Sequence, residues 1–92
     1  MIRSFRNMAL QRLWVSRRDL DKKTPATLAI LDALDVVDTA SSPQDCAFIG
    51  FRFDEWSEGK QQRFGISITD HWLLSYGWSD GHAIDVDLER IE

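Results

Sequence analysis

Basic side chains are the residues of this chain whose type suits chemistry on a phosphate group. Arg52, Arg63 and Arg90 fall in or beside strand-like segments, and Lys60 falls in a loop between two of them. A phosphoryl-transfer transition state gathers negative charge, so its site needs cations where that charge develops. We expect these four cations on or near one face of a sheet.

Acidic and imidazole side chains offer weaker candidates. Asp85, Asp87 and Glu89 alternate along one segment and could hold a hard cation, but gathered acids also repel phosphate, and a solvated role fits them better. His71 and His82 fall at predicted turns, where a histidine is usually an ordinary polar residue. One cysteine and two histidines cannot supply the four ligands of a usual structural zinc site, and we expect neither metal nor cofactor.

Aromatic residues could stack on nucleic-acid bases. Trp72, Tyr76 and Trp78 alternate with Leu74, a spacing that favours core packing. Trp56 lies instead in a predicted polar loop, so either base stacking or contact with a protein partner is open to it.

Length and composition predict one small domain over residues 1–92. A single cysteine, Cys46, excludes an intramolecular disulfide, fits a reducing cytoplasm and is expected to be inert. The chain shows neither a run of about 18 apolar residues nor the apolar stretch of a secretion signal. We therefore expect a cytoplasmic protein without a membrane partner.

Charge is distributed unevenly along the chain, whose formal net charge is −4. Residues 1–23 carry seven Lys/Arg against two Asp, whereas residues 24–92 carry four Lys/Arg against thirteen Asp/Glu. The basic end fits RNA, a ribosome or an acidic protein, although on charge alone a solvated helix face is the better explanation.

The first half of the chain predicts a short strand and two helices. Residues 2–5 alternate as a small strand, and Asn7 can cap a helix that runs to about Arg17. A polar connection leads to Thr24 and Pro25, a capping hydroxyl and a proline at the first helical position. The second helix should end at residues 41–43, with these residues facing the core: Ile30, Leu31, Leu34, Val37.

The second half predicts an antiparallel meander, which makes the fold α+β with both helices on one sheet face. Residues 55–60 read as a loop, and Asp80-Gly81 marks a tight hairpin. Alternation predicts these inward residues: Ile49, Phe51, Phe53, Phe64, Ile66, Ile68, Ile84, Val86, Leu88. The opposite face should stay open and polar, with these residues: Arg52, Asp54, Ser67, Ser75, Asp85, Asp87, Glu89.

Three segments carry a family resemblance. Residues 1–5 (Met-Ile-Arg-Ser-Phe), 31–34 (Leu-Asp-Ala-Leu), and Asp80-Gly81 followed by residues 85–87 (Asp-Val-Asp) resemble HigB toxins of the RelE-like superfamily. The resemblance covers nearly the whole chain and implies a RelE/HigB-like compact domain.

That resemblance implies a type II toxin that enters the ribosomal A site and cuts translated mRNA without a metal. It implies neutralisation by a HigA-type antitoxin with a helix-turn-helix domain, and contact with operator DNA only through the antitoxin complex. Basic residues would hold phosphate, and acid/base groups would help the RNA 2′-OH attack the adjacent phosphate.

Several positions depart from the family pattern. Asp54 stands where the family has histidine, Ser57 where it has lysine, Leu73 where it has arginine, and Arg90-Ile91-Glu92 where it ends in Asp-Tyr-His. The first hypothesis is an mRNA endoribonuclease with a rearranged site, in which Arg63 and Arg90 bind phosphate and Glu92 or Asp54 is the base.

On that hypothesis, Arg52, Lys60 and Trp56 contact the RNA. The alanine variant of Arg63 should then lose activity but keep its fold. The alternative is a catalytically degenerate or non-nucleolytic protein of the same fold, which pairs with an antitoxin or inhibits another target such as gyrase.

Overall fold

Two helices pack on one face of a four-stranded antiparallel sheet in the computed structural model, which describes residues 1–18, 24–47 and 52–91. The helices are α1 (Met8–Val15) and α2 (Pro25–Thr39), and a short 3-10 helix (Pro43–Cys46) follows. The strands, which neighbour one another in chain order, are β1 (Arg52–Glu58), β2 (Gln61–Ser67), β3 (Trp72–Ser79) and β4 (His82–Arg90). The predicted α+β class is confirmed.

Both helices begin at the caps that the sequence predicted. The side chains of Asn7 and Thr24 each accept a hydrogen bond from the backbone N–H three residues later, at 3.1 and 3.2 Å. Pro25 occupies the first helical position, where a backbone N–H has no partner within the helix, so the N–H that proline lacks costs no hydrogen bond. α1 ends at Val15 and not at the predicted Arg17. Among the described residues, no helix is long and apolar enough to cross a membrane.

The hydrophobic core lies between α2 and the sheet. Its fully or nearly fully buried members include Leu31, Leu34, Val37, Phe64, Ile66, Leu74, Tyr76 and Val86. Burying each large side chain of this kind contributes about 1.5–3 kcal/mol. The Tyr76 hydroxyl donates a 2.9 Å hydrogen bond to the Pro43 carbonyl and so joins the 3-10 helix to the sheet. The predicted inward positions Ile49 and Phe51 lie outside the described residues.

β1 extends through the segment that the sequence predicted as a loop. It pairs with β2 from Arg52 opposite Ser67 to Glu58 opposite Gln61, and only residues 59 and 60 form the turn. The prediction was wrong because polar residues at 55–58 are also tolerated in a strand at the edge of a sheet. Trp56 therefore lies in β1 and not in a loop.

β4 contains a bulge that changes which residues face inward. The register of β3 and β4 shifts between Ser75 and Gly77, and Asp85 has φ of 50°. Ile84 consequently pairs with Gly77 on the face away from the helices, so its predicted inward position was wrong. Val86 is buried inward as predicted.

The N-terminal segment lies beside β4 as two parallel bridges. Ile2 pairs with Ala83 and Phe5 with Val86. The Ile2 N–H also donates to Asp38 Oδ1 at 2.9 Å, which connects this segment to α2. The short strand predicted over residues 2–5 is thus present only as these two isolated bridges.

Candidate functional site

The sheet face turned away from the helices, here called the outer face, carries most of the predicted site. Strand alternation and the pairing register assign it these residues: Arg52, Asp54, Trp56, Glu58, Gln61, Arg63, Gly65, Ser67, Leu73, Ser75, Gly77, Ile84, Asp87, Glu89. The sequence predicted this face as open and polar. Its centre is instead closed, because Arg63 and Ser75 are both 0% exposed.

Arg63 lies in the centre of the outer face with its guanidinium against neighbouring strands. Nη1 donates to the Asp85 carbonyl oxygen and Nη2 donates to Ser75 Oγ, both at 3.0 Å. A Cβ at Gly77 would come within 2.7 Å of Gln61 Nε2 and 3.6 Å of Arg63 Nη1. Glycine at this position leaves room for both side chains to cross β3.

Glu58 is the carboxylate next to the Arg63 guanidinium. Arg63 Nε lies 3.8 Å from Glu58 Oε2 without a hydrogen-bond partner, and Arg6 Nη1 lies 3.5 Å from Glu58 Oε1. Burial lowers the pKa of Arg63 and Arg6 acts in the same direction, whereas Glu58, Glu89 and Asp85 oppose the shift. Arg63 is thus fully buried beside a protein carboxylate and is not exposed to an incoming phosphate.

Leu73 fills the part of the outer face beside Gly65. Its side chain lies over Gly65, whose added Cβ would meet Leu73 Cδ1 at 2.8 Å. This position therefore supplies apolar packing and no charge.

The predicted RNA-binding residues lie along the β1–β2 hairpin. The Arg52 side chain is 79% exposed, with Nε 3.6 Å from Asp54 Oδ2. Trp56 is half-buried and pairs with Arg63 across the two strands, and Lys60 is exposed in the turn. The structure thus places these three residues along one hairpin. Of the three, Arg52 already has a carboxylate, that of Asp54, close to its guanidinium.

Arg90 and Glu92 do not join Arg63 on the outer face. Arg90 pairs with Trp72, in the same alternation as the inward pair Leu88 and Leu74, so it belongs to the helix-bearing face. Its guanidinium carbon lies 6.0 Å from the Trp72 ring centroid. Glu92 lies outside the described residues. The two arginines predicted to bind phosphate are therefore on opposite faces, which corrects the predicted site.

In the part of the chain that the structure describes, no three His, Cys, Asp or Glu side chains are grouped so that they could hold a metal ion. His71 is exposed in the β2–β3 connection. His82 begins β4, and its Nδ1 is buried without a hydrogen-bond partner.

The described residues form grooves at the margins of the fold. One of about 300 Å³ opens at the end of the sheet, lined by Arg52, Ser67, Ile68, Thr69, Asp70 and Ile91. Another, of about 450 Å³, lies between α2 and the 3-10 helix, lined by Val36, Thr39, Ala40, Gln44 and Asp45. Neither contains Arg63, so neither forms the predicted site.

Two features of the outer face were missed by sequence reasoning. Ser75 contacts Arg63 from 12 residues away, which leaves no local pattern, and Glu58 contacts Arg63 across the β1–β2 turn, where the sequence predicted a longer loop. Gly65 and Gly77 did carry a signal, because glycine inside a strand often marks a close approach of another group. The sequence matches no protein-family model and no curated protein.

Proposed function

We propose that this chain is the toxin-like member of a type II toxin–antitoxin pair of the HigB kind, and that it acts by binding rather than by cleaving RNA. The burial of Arg63 carries this proposal. The sequence assigned phosphate binding to Arg63, and this side chain is fully buried and hydrogen-bonded to Ser75 and to the Asp85 carbonyl. A phosphate group would have to displace those protein contacts to reach it.

Other residues of the outer face support binding over catalysis. Leu73 packs over Gly65 where a cation would serve cleavage, and Arg90 lies on the other face. Glu58, Asp87 and Glu89 bring negative charge to the outer face, which repels RNA phosphate. The element order, a short N-terminal strand-like segment, two helices and a meander, fits the resembling family.

A metal-independent mRNA endoribonuclease with a RelE-like fold is the second candidate. Arg52 and Lys60 are exposed on the β1–β2 hairpin with Trp56 between them along β1, an arrangement suited to holding a single strand by phosphate contact and stacking. On either proposal the partner is a HigA-like helix-turn-helix antitoxin, the compartment is the cytoplasm, and operator DNA is contacted through the antitoxin complex.

Mapping of RNA 5′ ends after induction of this chain without an antitoxin tests the proposal. Growth arrest without new ends is the expected result. New ends inside translated frames, phased to codons, would overturn binding in favour of the nuclease, and absence of arrest would overturn toxicity itself. The core variant Leu34→Asp, which should not fold, is the control that separates toxicity from overexpression.

A further inference from the structure

The two edges of the sheet differ in whether another segment of the chain pairs with them. At the β4 edge, Arg3 N donates to the Ala83 carbonyl at 2.8 Å and Val86 N donates to the Ser4 carbonyl at 3.1 Å. At the β1 edge, no backbone group of residues 1–18, 24–47 or 52–91 pairs with the side of β1 that faces away from β2. Within the described part of the chain, β1 therefore presents an unpaired row of donors and acceptors.

Hairpin geometry identifies the residues whose backbone groups point outward. Glu58 and Gln61 flank a two-residue turn, so they form a hydrogen-bonded pair, and such pairs alternate along an antiparallel ladder. The N–H and C=O groups of Phe53, Glu55 and Ser57 then face away from β2. Glu55 and Ser57 are exposed, and Phe53 is half-buried against Phe64, with ring centroids 6.2 Å apart.

The side chains along this edge are predominantly acidic. β1 contributes Asp54, Glu55 and Glu58 against one cation of its own, Arg52, which lies 3.6 Å from the Asp54 carboxylate. Glu58 also faces Arg6 at 3.5 Å and Arg63 at 3.8 Å. The Arg52 and Arg6 ion pairs are solvent-exposed and therefore weak, so both carboxylates stay open to a further cation. Asp54 and Glu58 flank Trp56 on the outer face. A cationic side chain added beside Trp56 would meet an aromatic ring between two carboxylates.

A second copy of the chain fits this edge poorly. An antiparallel β1–β1 ladder can pair five or more residues of the strand in three registers. Two of these registers oppose only like charges, Asp54 to Asp54 or Asp54 to Glu58. The third opposes Glu55 to Glu55 at its centre and Arg52 to Glu58 at both ends, but Arg52 and Glu58 already have ion-pair partners within the chain. Like charges directly opposite one another destabilise a strand pair. The edge therefore favours a strand of opposite charge from a different chain.

We propose that the outer edge of β1 binds an extended basic segment of a partner protein, which adds to the sheet as a further strand. This binding site rests on the proposed binding function. The partner strand would place Lys or Arg at alternate positions, beside Asp54, Trp56 and Glu58, and an apolar residue beside Phe53. Backbone bonds give the affinity and the alternating side chains give the specificity.

Amide hydrogen exchange of the full chain with a synthetic peptide tests this proposal. The probe is a seven-residue peptide of alternating Lys and Val, beginning and ending with Lys, at millimolar concentration. The expected result is slower exchange of the Phe53, Glu55 and Ser57 amides, and no slowing with the matching Glu–Val peptide. No protection of these three amides by the Lys–Val peptide would overturn the proposal.

Two N-methylated peptides separate strand addition from charge attraction. Methylation of the valine nitrogens, which should face β1, is expected to abolish binding, and methylation of the lysine nitrogens to preserve it. Equal binding of both peptides would overturn strand addition. Asp54→Asn should weaken peptide binding about two- to fivefold, whereas the α2 variant Asp35→Asn should not.

The peptide and growth experiments fail independently. Strand addition without growth arrest would support this edge as a binding site while overturning the toxic role. Growth arrest without strand addition would keep the proposed function and place its partner elsewhere on the fold.

Discussion

A 3.0 Å hydrogen bond joins Arg63 Nη1 to the backbone carbonyl of Asp85, at the bulge of β4. Asp85 has φ of 50°, and its N–H donates to Ser4 Oγ at 2.9 Å. Both backbone groups of this strained residue are therefore bonded, one to the N-terminal segment and the other to a cation on β2. Arg63 holds the bulge in place, which is a structural role for the residue that the sequence assigned to phosphate binding.

Loss of the Arg63 side chain should destabilise the fold. Arg63→Ala would leave Ser75 Oγ and the Asp85 carbonyl without their donor and Glu58 without one of its two cations. Leaving a buried hydrogen-bonding group without its partner typically costs about 1–3 kcal/mol, and two groups lose theirs here. Urea unfolding at pH 7 measures this loss.

The matched control is Arg52→Ala, because the Arg52 side chain is exposed and its ion pair is on the surface. We expect that variant to change the free energy of unfolding by about 0.5 kcal/mol or less. Equal stability of the two variants would contradict a structural role for Arg63. The geometry also reverses the sequence-based expectation that Arg63→Ala keeps its fold.

Local chemistry explains which elements were predictable. The cap at Thr24 and Pro25 and the turn at Asp80-Gly81 depend on neighbouring residues, and both are confirmed, with φ of 52° and 80° in the turn. The β4 bulge depends on how β3 and the N-terminal segment pair with β4. No local pattern of residues 82–90 encodes that pairing, so Ile84 was assigned to the wrong face.

The candidate site was predicted less well for the same reason. Arg63, Asp54 and Arg52 do share the outer face, as alternation predicted. Burial of Arg63 depends on Ser75 and Asp85, which are 12 and 22 residues away in sequence. Sequence alternation gives the face of a side chain but not what covers it.

Gly65 and Leu73 should show strongly coupled effects on stability. A Cβ at residue 65 would lie 2.8–3.0 Å from three carbon atoms of Leu73, so Gly65→Ala should cost about 1–3 kcal/mol. In a Leu73→Ala background the obstructing atoms are absent, and the same substitution should be close to neutral. A double-mutant cycle by urea unfolding should give a coupling of about 1 kcal/mol or more.

Leu88→Ala provides the control background, because Leu88 faces the opposite side of the sheet. The cost of Gly65→Ala should be the same there as in the unmodified chain. Additive effects of Gly65→Ala and Leu73→Ala would show that Leu73 does not occupy the space above Gly65.

Stability should decline at alkaline pH because of Cys46. Burial raises the pKa of this thiol, an effect that a hydrogen bond with Tyr76 partly opposes. Above pH about 8.5 the unfolded chain loses the thiol proton while the native chain retains it, so the native state binds more protons there. The free energy of unfolding then falls as pH rises, by at most about 1.4 kcal/mol per pH unit from this group.

Urea unfolding at pH 7 and pH 9.5 measures that slope. Cys46→Ala should be less stable at pH 7, because it removes a fully buried side chain, but should lose less stability between the two pH values. Burial and the neighbouring Cys46 also raise the pKa of Tyr76, but this effect begins only above pH about 10 and so lies outside the range compared. Identical slopes for the two proteins would exclude Cys46 as the source.

Proline substitutions in β1 should differ according to which way each backbone N–H points. Ser57 N–H faces the unpaired edge by strand alternation, whereas Asp54 N–H faces Gly65 on β2. Ser57→Pro therefore removes no ladder bond and should cost about 1 kcal/mol or less, whereas Asp54→Pro should cost about 3 kcal/mol or more. Thermal and urea unfolding compare the two variants.

If Ser57→Pro is as damaging as Asp54→Pro, the outer edge of β1 is already paired in the native protein and cannot accept a partner strand. If Ser57→Pro folds normally, its bulky ring and missing donor should still abolish protection by the Lys–Val peptide, because the added strand needs the donor that folding does not.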